Sequence, residues 1–220
     1  MSGELRRLRA VERWVGWIRL VAVPFAVFQV AISTYPGGSY ELWAWVTTGI
    51  FTAGALVLFR LGRRDWTLAA QHRLGLAALG FDFAVVSAYV LIFNFEDASP
   101  IRQVMFLPLV EGALRYGIWG ALAVVAASAP VMAVFEWLRQ RHTEPHDYRL
   151  DYVTLQLGIE VLMGLIVGWL VWRLQGETGV AEERAGESER LRDQLGRRAD
   201  TLEAANRCAR ALSSSLAVDQ

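Results

Sequence analysis

Cysteine is nearly absent from this chain and lysine is wholly absent. The one cysteine, Cys208, excludes an internal disulfide and a cysteine-ligated metal site. It falls in a polar stretch, where a reducing cytoplasm suits it. All 22 basic residues are arginine, a compositional bias to which we attach no function. Histidine is scarce. His72, His142 and His146 fall in loops, so no pair faces into a bundle, and bound b-type haem is excluded. His142 and His146 stand four apart beside Glu144 and Asp147. That spacing is open to a surface metal, but a solvated loop is the better reading. No P-loop, no G-x-G-x-x-G opening a helix, no H-E-x-x-H and no G-x-S-x-G occurs. Gly37-Gly38-Ser39 follows Pro36 and reads as a turn. Basic and acidic residues are equal in number and interleaved, which argues against nucleic acid. No catalytic residue, cofactor site or metal site is legible.

Long apolar runs are what the chain has instead. It is 54% hydrophobic. Six apolar stretches cover roughly 14–34, 42–59, 74–95, 101–117, 118–138 and 153–173. About 20 residues span a bilayer's hydrocarbon core. The stretches mostly lack a polar face, unlike a surface helix of a soluble domain. We therefore expect an all-α, polytopic membrane bundle of six transmembrane helices. Residues 1–34 are too apolar for too long to be a signal peptide, and no small-x-small cleavage site follows. The expected organisation is a cytoplasmic tail at 1–13, the bundle at 14–174, a charged helix at 175–212 and the start of a following domain at 213–220.

Orientation follows from arginine. The N-terminal tail carries Arg6, Arg7, Arg9 and Arg13, and the loop after the second stretch carries Arg60, Arg63, Arg64 and Arg73. Loop residues 35–41 carry none, and 94–101 carry none before Arg102. Positive charge marks the cytoplasmic side, so both ends are expected inside a bacterial inner membrane. Trp14, Trp17 and Trp66 then mark the inner boundary, and Tyr40, Trp43 and Trp45 the outer. The fourth stretch is short and holds Pro108, Glu111 and Arg115. Were it a re-entrant segment, five spans would remain and the C-terminal helix would lie outside. Arg139, Arg141 and Arg149 favour that rival, and Glu144, Asp147 and Asp151 oppose it.

Arg19, Asp82, Glu111, Arg115 and Glu160 are charges that fall inside the stretches, away from the ends where Arg102, Glu136 and Arg173 stand. Charges in lipid are expensive and usually face the bundle interior in pairs. At about 1.5 Å per residue, Asp82 lies roughly 12 Å and Glu111 roughly 9 Å from the inner surface. Arg19 and Arg115 lie nearer that surface, so these four are expected to meet, with Glu160 apart. The bland role is mutual neutralisation of Glu111 and Arg115, four apart on one helix face. The functional role is a polar pocket for a ligand, ion or proton. Gly164 and Gly168 form a G-x-x-x-G, read as packing within the bundle or as a dimer seam. Gly49 and Ala53 form a similar pair.

The segment from Gln175 to Leu212 is rich in Glu, Arg, Ala and Leu. Leu195, Leu202, Ala209 and Leu216 fit heptad a, and Leu191, Ala205 and Leu212 fit d, with Arg198 at the remaining d. This predicts a weak, parallel, cytoplasmic coiled coil and hence a homodimer. A weak seam of this kind suits a bistable relay.

A multi-span bundle, a charged helix and then Ala209-Arg-Ala-Leu-Ser-Ser-Ser-Leu216 followed by Ala-Val-Asp resembles the N-terminal membrane-sensor region of bacterial GAF-containing sensor histidine kinases. The stretch Leu212–Asp219 resembles the helix and turn that open the GAF domain, where this chain ends. The resemblance implies a sensory input module in the bilayer. Its partners would be a downstream signalling domain or response regulator, and its output a histidine kinase or, less often, a diguanylate cyclase. The alternatives from the residues alone are a small transporter or channel, and a scaffold that recruits a partner through its coiled coil.

Overall fold

The computed structural model describes residues 3–95, 100–142 and 150–174, together with 176, 190–192 and 194–195. Every regular element among them is helical. Helix α1 is Gly3–Ile32, α2 is Tyr40–Gly62 and α3 is Leu68–Ile92. A 3₁₀ segment, Pro100–Met105, leads into Phe106–His142, which is broken at Gly117 into α4 (106–116) and α5 (118–142). Helix α6 is Leu150–Leu174. Met1–Trp172 and Arg173–Gln220 form separate compact units.

Helix ends follow local chemistry. Thr67 caps α3, its side chain accepting from the Ala70 N–H. The end of α1 is stopped by Tyr35-Pro36-Gly37-Gly38, with Gly38 at φ 111°. There the Tyr35 hydroxyl donates to the Val30 carbonyl at 2.9 Å, satisfying a helix-end acceptor. Helix α1 also begins earlier than its apolar stretch. Residues 3–13, expected as a tail, are its first turns, with Leu8 and Glu12 buried.

Gly117 sits at φ 66° and ψ −150°, a conformation open in practice to glycine alone. The chain reverses there. Residues 112 and 120 would lie about 12 Å apart on one straight helix. Instead a Cβ on Gly112 would fall 2.9 Å from the Gly120 carbonyl oxygen. The two glycines let α4 and α5 meet backbone to backbone. Helix α5 then packs antiparallel against α6. Ile118 lies on Gly168, Ala121 on Gly164, and Phe135 shares a core cluster with Val153.

The short fourth limb matches the depth of α3. Ile101 packs on the cluster of Phe93, Met105 shares one with Val86 and Val90, and Leu109 and Ala113 share one with Leu79. Arg115 lies over Gly75. Along α3, Gly75 to Phe93 is roughly 27 Å, close to the ~30 Å hydrocarbon thickness. The 3₁₀ turn makes this possible, since it rises about 2.0 Å per residue against 1.5 Å for an α-helix. Among the described residues, five helices are long and apolar enough to cross a membrane. The fourth of these, Pro100–Arg141, is the one folded double at Gly117, so the bundle has six limbs. The start of α1 and the end of α6 share one end of the bundle, here called proximal.

Outward faces carry large apolar side chains on every helix, including Trp14, Val21, Phe25, Ile50, Leu107, Leu162 and Ile166. Apolar exposure on that scale belongs against lipid. At the distal end Tyr35, Tyr40, Phe93 and Phe95 stack at centroid distances of 5.3–5.8 Å. Of the arginines that favoured a re-entrant fourth segment, Arg149 lies outside the described residues, and Arg139 and Arg141 are taken up by rings and a carboxylate, as Arg102 is by rings. Arg102 lies over Phe135, Arg139 over Tyr152 and Arg141 over Trp137, and Arg139 pairs with Glu136 at 3.2 Å.

Two packing expectations separate here. Gly164 and Gly168 face α5 of the same chain, so that face of α6 is covered within the bundle. Gly49 and Ala53 point outward, and a close approach on α2 is instead at Gly54, which receives the Phe81 ring. The burial stripe of Ala44, Thr48, Ala55 and Leu58 sets that face. Gly168→Leu should cost about 1–3 kcal/mol through overpacking against Ile118. Gly158→Leu, on the same helix with open space around it, should be near neutral. Thermal melts in mild detergent compare the two.

In the second unit, Leu191 and Leu195 are exposed in short helical stretches. Leu202, Ala205, Ala209, Leu212, Leu216, Arg198, Cys208 and His146 lie outside the described residues. His142 ends α5 and is not in a loop.

Candidate functional site

The proximal half of the bundle encloses a charge network. Glu12 and Arg19 stand seven apart on α1, two turns along one face. Asp82 comes from α3, and Glu111 and Arg115 from α4. Arg19 Nε donates to Asp82 Oδ2 at 2.6 Å, Nη2 to Glu111 Oε1 at 2.8 Å and Nη1 to Glu12 Oε1 at 3.4 Å. Arg115 Nε donates to Glu111 Oε1 at 2.8 Å and Nη1 to Glu12 Oε2 at 2.5 Å. Its Nη2 lies 2.7 Å from Glu111 Oε1. Each guanidinium thus serves as a planar fork across several helices, a geometry that a lysine ammonium lacks.

Glycine makes room for the long side chains. A Cβ at Gly62 would meet Glu12 Cγ at 2.9 Å, and one at Gly75 would meet Arg115 Nη1 at 2.9 Å. The network is largely buried: Glu12 is 1% exposed and the Asp82 side chain 13%. Three carboxylates face two guanidiniums, a formal surplus of one negative charge. Asp82 Oδ1 is buried with no hydrogen-bond partner among the described residues. A buried carboxylate oxygen in that state is a costly one.

Of the five charges expected inside the membrane, the structure brings four together, Arg19, Asp82, Glu111 and Arg115. Glu160 stands apart on α6, bonded to Ser128 and, at 3.2 Å, to Gln156. Glu12 is the member the sequence reading missed, because it was assigned to the tail. Its i, i+7 relation to Arg19 is the signal that marks it, once α1 is extended toward the N-terminus. The His72 carbonyl accepts from the Tyr116 hydroxyl at 3.5 Å. Among the described residues no group of three His, Cys, Asp or Glu is placed to hold a metal ion.

A cavity of about 230 Å³ opens beside the network between α1, α3 and α4. Arg19, Asp82 and Glu111 lie at its proximal end, Val15, Ile18 and Leu107 are among its walls, and nearly all of its exposed lining is apolar. A second cavity of about 150 Å³ continues distally and shares Ala22, Phe51, Val86 and Leu107 with the first. Comparison with protein-family models, curated proteins and solved structures finds no match to this chain.

Proposed function

We propose that this chain is the membrane-embedded input module of a bacterial signal-transduction protein, in the inner membrane with both ends cytoplasmic. It relays a stimulus through the helix after α6, as a homodimer, to a cytoplasmic output domain, a histidine kinase by the resemblance at 209–219. One observation carries the reading. Beside the apolar packing of Leu79 with Leu109 and Ala113, α1, α3 and α4 are joined across the proximal half by a few strong, directional ion pairs around a formal surplus charge. Such a set has discrete alternative pairings, so one ligand, ion or proton can move the equilibrium between two helix arrangements. A uniformly apolar interface offers no such lever. Helix α4 turns at Gly117 directly into α5, and α5 lies along α6, so a shift of α4 reaches the last limb through packed contacts.

The test is a fusion of residues 1–220 to a reporter kinase domain in proteoliposomes. Glu111→Gln removes the surplus charge and keeps the shape. It should change basal autophosphorylation several-fold while membrane insertion stays intact. Equal output from both proteins would sink the sensor reading, and ion or solute flux through the vesicles would point to transport instead.

A further inference from the structure

The proximal end of the bundle carries a second charged feature, apart from the buried network. Arg9, Arg13, Gly62, Arg63, Arg64 and Asp65 line an open pocket of about 440 Å³, and its exposed lining is more polar than apolar. We infer that this pocket binds the phosphate of a membrane phospholipid from the leaflet at the proximal end, with a phosphomonoester headgroup preferred. The inference goes beyond the sensor reading and does not depend on it.

Charge selects an anion. Four arginines line the pocket with one carboxylate, and that carboxylate, Asp65, is taken up by Arg9 at 2.9 Å. Arg13, Arg63 and Arg64 have no carboxylate partner among the described residues. Glu12 lies behind Gly62, where a Cβ would meet its Cγ at 2.9 Å, but its carboxylate is held by Arg19 and Arg115. Guanidinium forks match phosphate oxygens in pairs. A phosphomonoester carries about −1.5 to −2 charge at neutral pH, a closer answer to the surplus than the single charge of a phosphodiester.

The pocket is also held in shape. Arg9 Nη2 donates to the Trp66 carbonyl at 3.2 Å, which ties α1 to the turn between α2 and α3. Trp66 Nε1 donates to the Leu61 carbonyl at 2.8 Å, which folds that turn back on the end of α2. Arg63 and Arg64 lie over the rings of Phe59 and Trp66, at 4.2 and 5.2 Å. A guanidinium stacked on a ring keeps its N–H edge open to a ligand.

The surroundings select a lipid over a soluble phosphate. The turn joins two spans, so the pocket stands at the bilayer surface. Arg13 and Trp17 are four apart on α1 and share a face, with Trp17 the deeper of the two. Trp17 packs edge-on against Phe59 at 5.3 Å, and Phe59 lies beneath Arg63. Guanidiniums at the surface with apolar rings on their membrane side follow the order of a phospholipid, head above tail.

The experiment uses the full chain in dodecyl maltoside micelles with radiolabelled dioleoyl phosphatidic acid, and empty micelles to subtract partition. Dioleoyl phosphatidylglycerol, dioleoyl phosphatidylcholine and glycerol 3-phosphate are the competitors. Phosphatidic acid should bind saturably, with phosphatidylglycerol a weaker competitor and phosphatidylcholine weaker still. Arg63→Gln with Arg64→Gln should weaken binding at least about tenfold. Arg60→Gln with Arg73→Gln removes the same charge from exposed proximal positions outside the pocket, and should change binding by less than about twofold. Arg13→Gln should weaken binding about fivefold, and it decides the matter if the first pair does not fold. Equal losses from the two pairs would mean diffuse surface charge and would overturn the proposal. Non-saturable binding, or phosphatidylcholine competing as well as phosphatidic acid, would overturn it too. Displacement by glycerol 3-phosphate at the concentrations that suffice for lipid would mark a site for a soluble anion instead. Phosphatidylglycerol competing equally would overturn the phosphomonoester preference. Binding is the only readout, so its failure leaves the sensor reading standing.

Discussion

Arg115→Met should destabilise the bundle by about 3–5 kcal/mol, the usual penalty for stranding a buried charge by deleting its partner. Glu12 Oε2 loses its 2.5 Å partner, and Glu111 loses one of the two guanidiniums it faces. Three carboxylates would then face Arg19 alone. Asp82→Asn should behave differently, costing less than about 1 kcal/mol or stabilising the fold. Asparagine still offers an oxygen to Arg19 Nε, and its substitution removes the surplus charge. The measurement is the unfolding midpoint of both variants in a common mild detergent with rising dodecyl sulfate. Comparable losses would mean that the surplus charge is already neutralised by another route. The asymmetry also separates two roles for the network. A set built only for stability has no reason to carry an unmatched carboxylate, whereas a site for a cation or proton does.

The second large effect is expected at the fold-back. Gly117→Val forces a β-branched residue to φ 66°, ψ −150°, at a cost of order 1–3 kcal/mol. Gly120→Leu places a side chain on the Gly112 carbonyl and on Tyr116. That separates α4 from α5 along their shared contact. The double variant should therefore lose the hairpin. If the fourth limb then fails to reverse, everything after it crosses with the opposite sense. Cys208 gives a ready reporter, since it is the sole cysteine and follows α6 in the chain. Labelling by a membrane-impermeant maleimide in sealed vesicles should be one-sided in the parent and mixed in the double variant. One-sided labelling in both would show that the turn does not depend on these glycines.

Much of this architecture is legible in the amino-acid order because a bilayer imposes simple demands. A helix must satisfy its own backbone and present apolar side chains over a fixed length, so spans and their approximate ends can be read from hydropathy. The expected boundary between the fourth and fifth stretches falls at Gly117, where the chain turns. Depth arithmetic along a regular helix placed Arg19, Asp82, Glu111 and Arg115 in the same half of the bilayer, and they lie together. Helix ends were less legible. Hydropathy falls off at Trp14 because Glu12 and Arg13 are polar, yet α1 continues back to Gly3. Besides Arg19 of its own helix, Glu12 is paired with Arg115 of α4, which no local window contains.

Tertiary structure alone decided which faces meet. The Gly49/Ala53 pair and the Gly164/Gly168 pair look alike in sequence, but the first faces outward and the second receives α5. A small-residue motif permits close approach without naming a partner. The depth of the fourth limb was likewise a matter of geometry, because a 3₁₀ turn stretches a run that looks too short for a crossing. The cavity belongs to the same category. It exists because α1 and α4 stand apart where Arg19 bridges them to Asp82 and Glu111, and a gap between helices has no sequence signature. The sequence by itself determined the all-α membrane class, the limbs and the half of the bilayer that holds the charges, since those follow from the solvent each residue must face. The pairing of the charges, their unmatched carboxylate and the cavity beside them follow from how six limbs pack, which is a property of the whole chain at once.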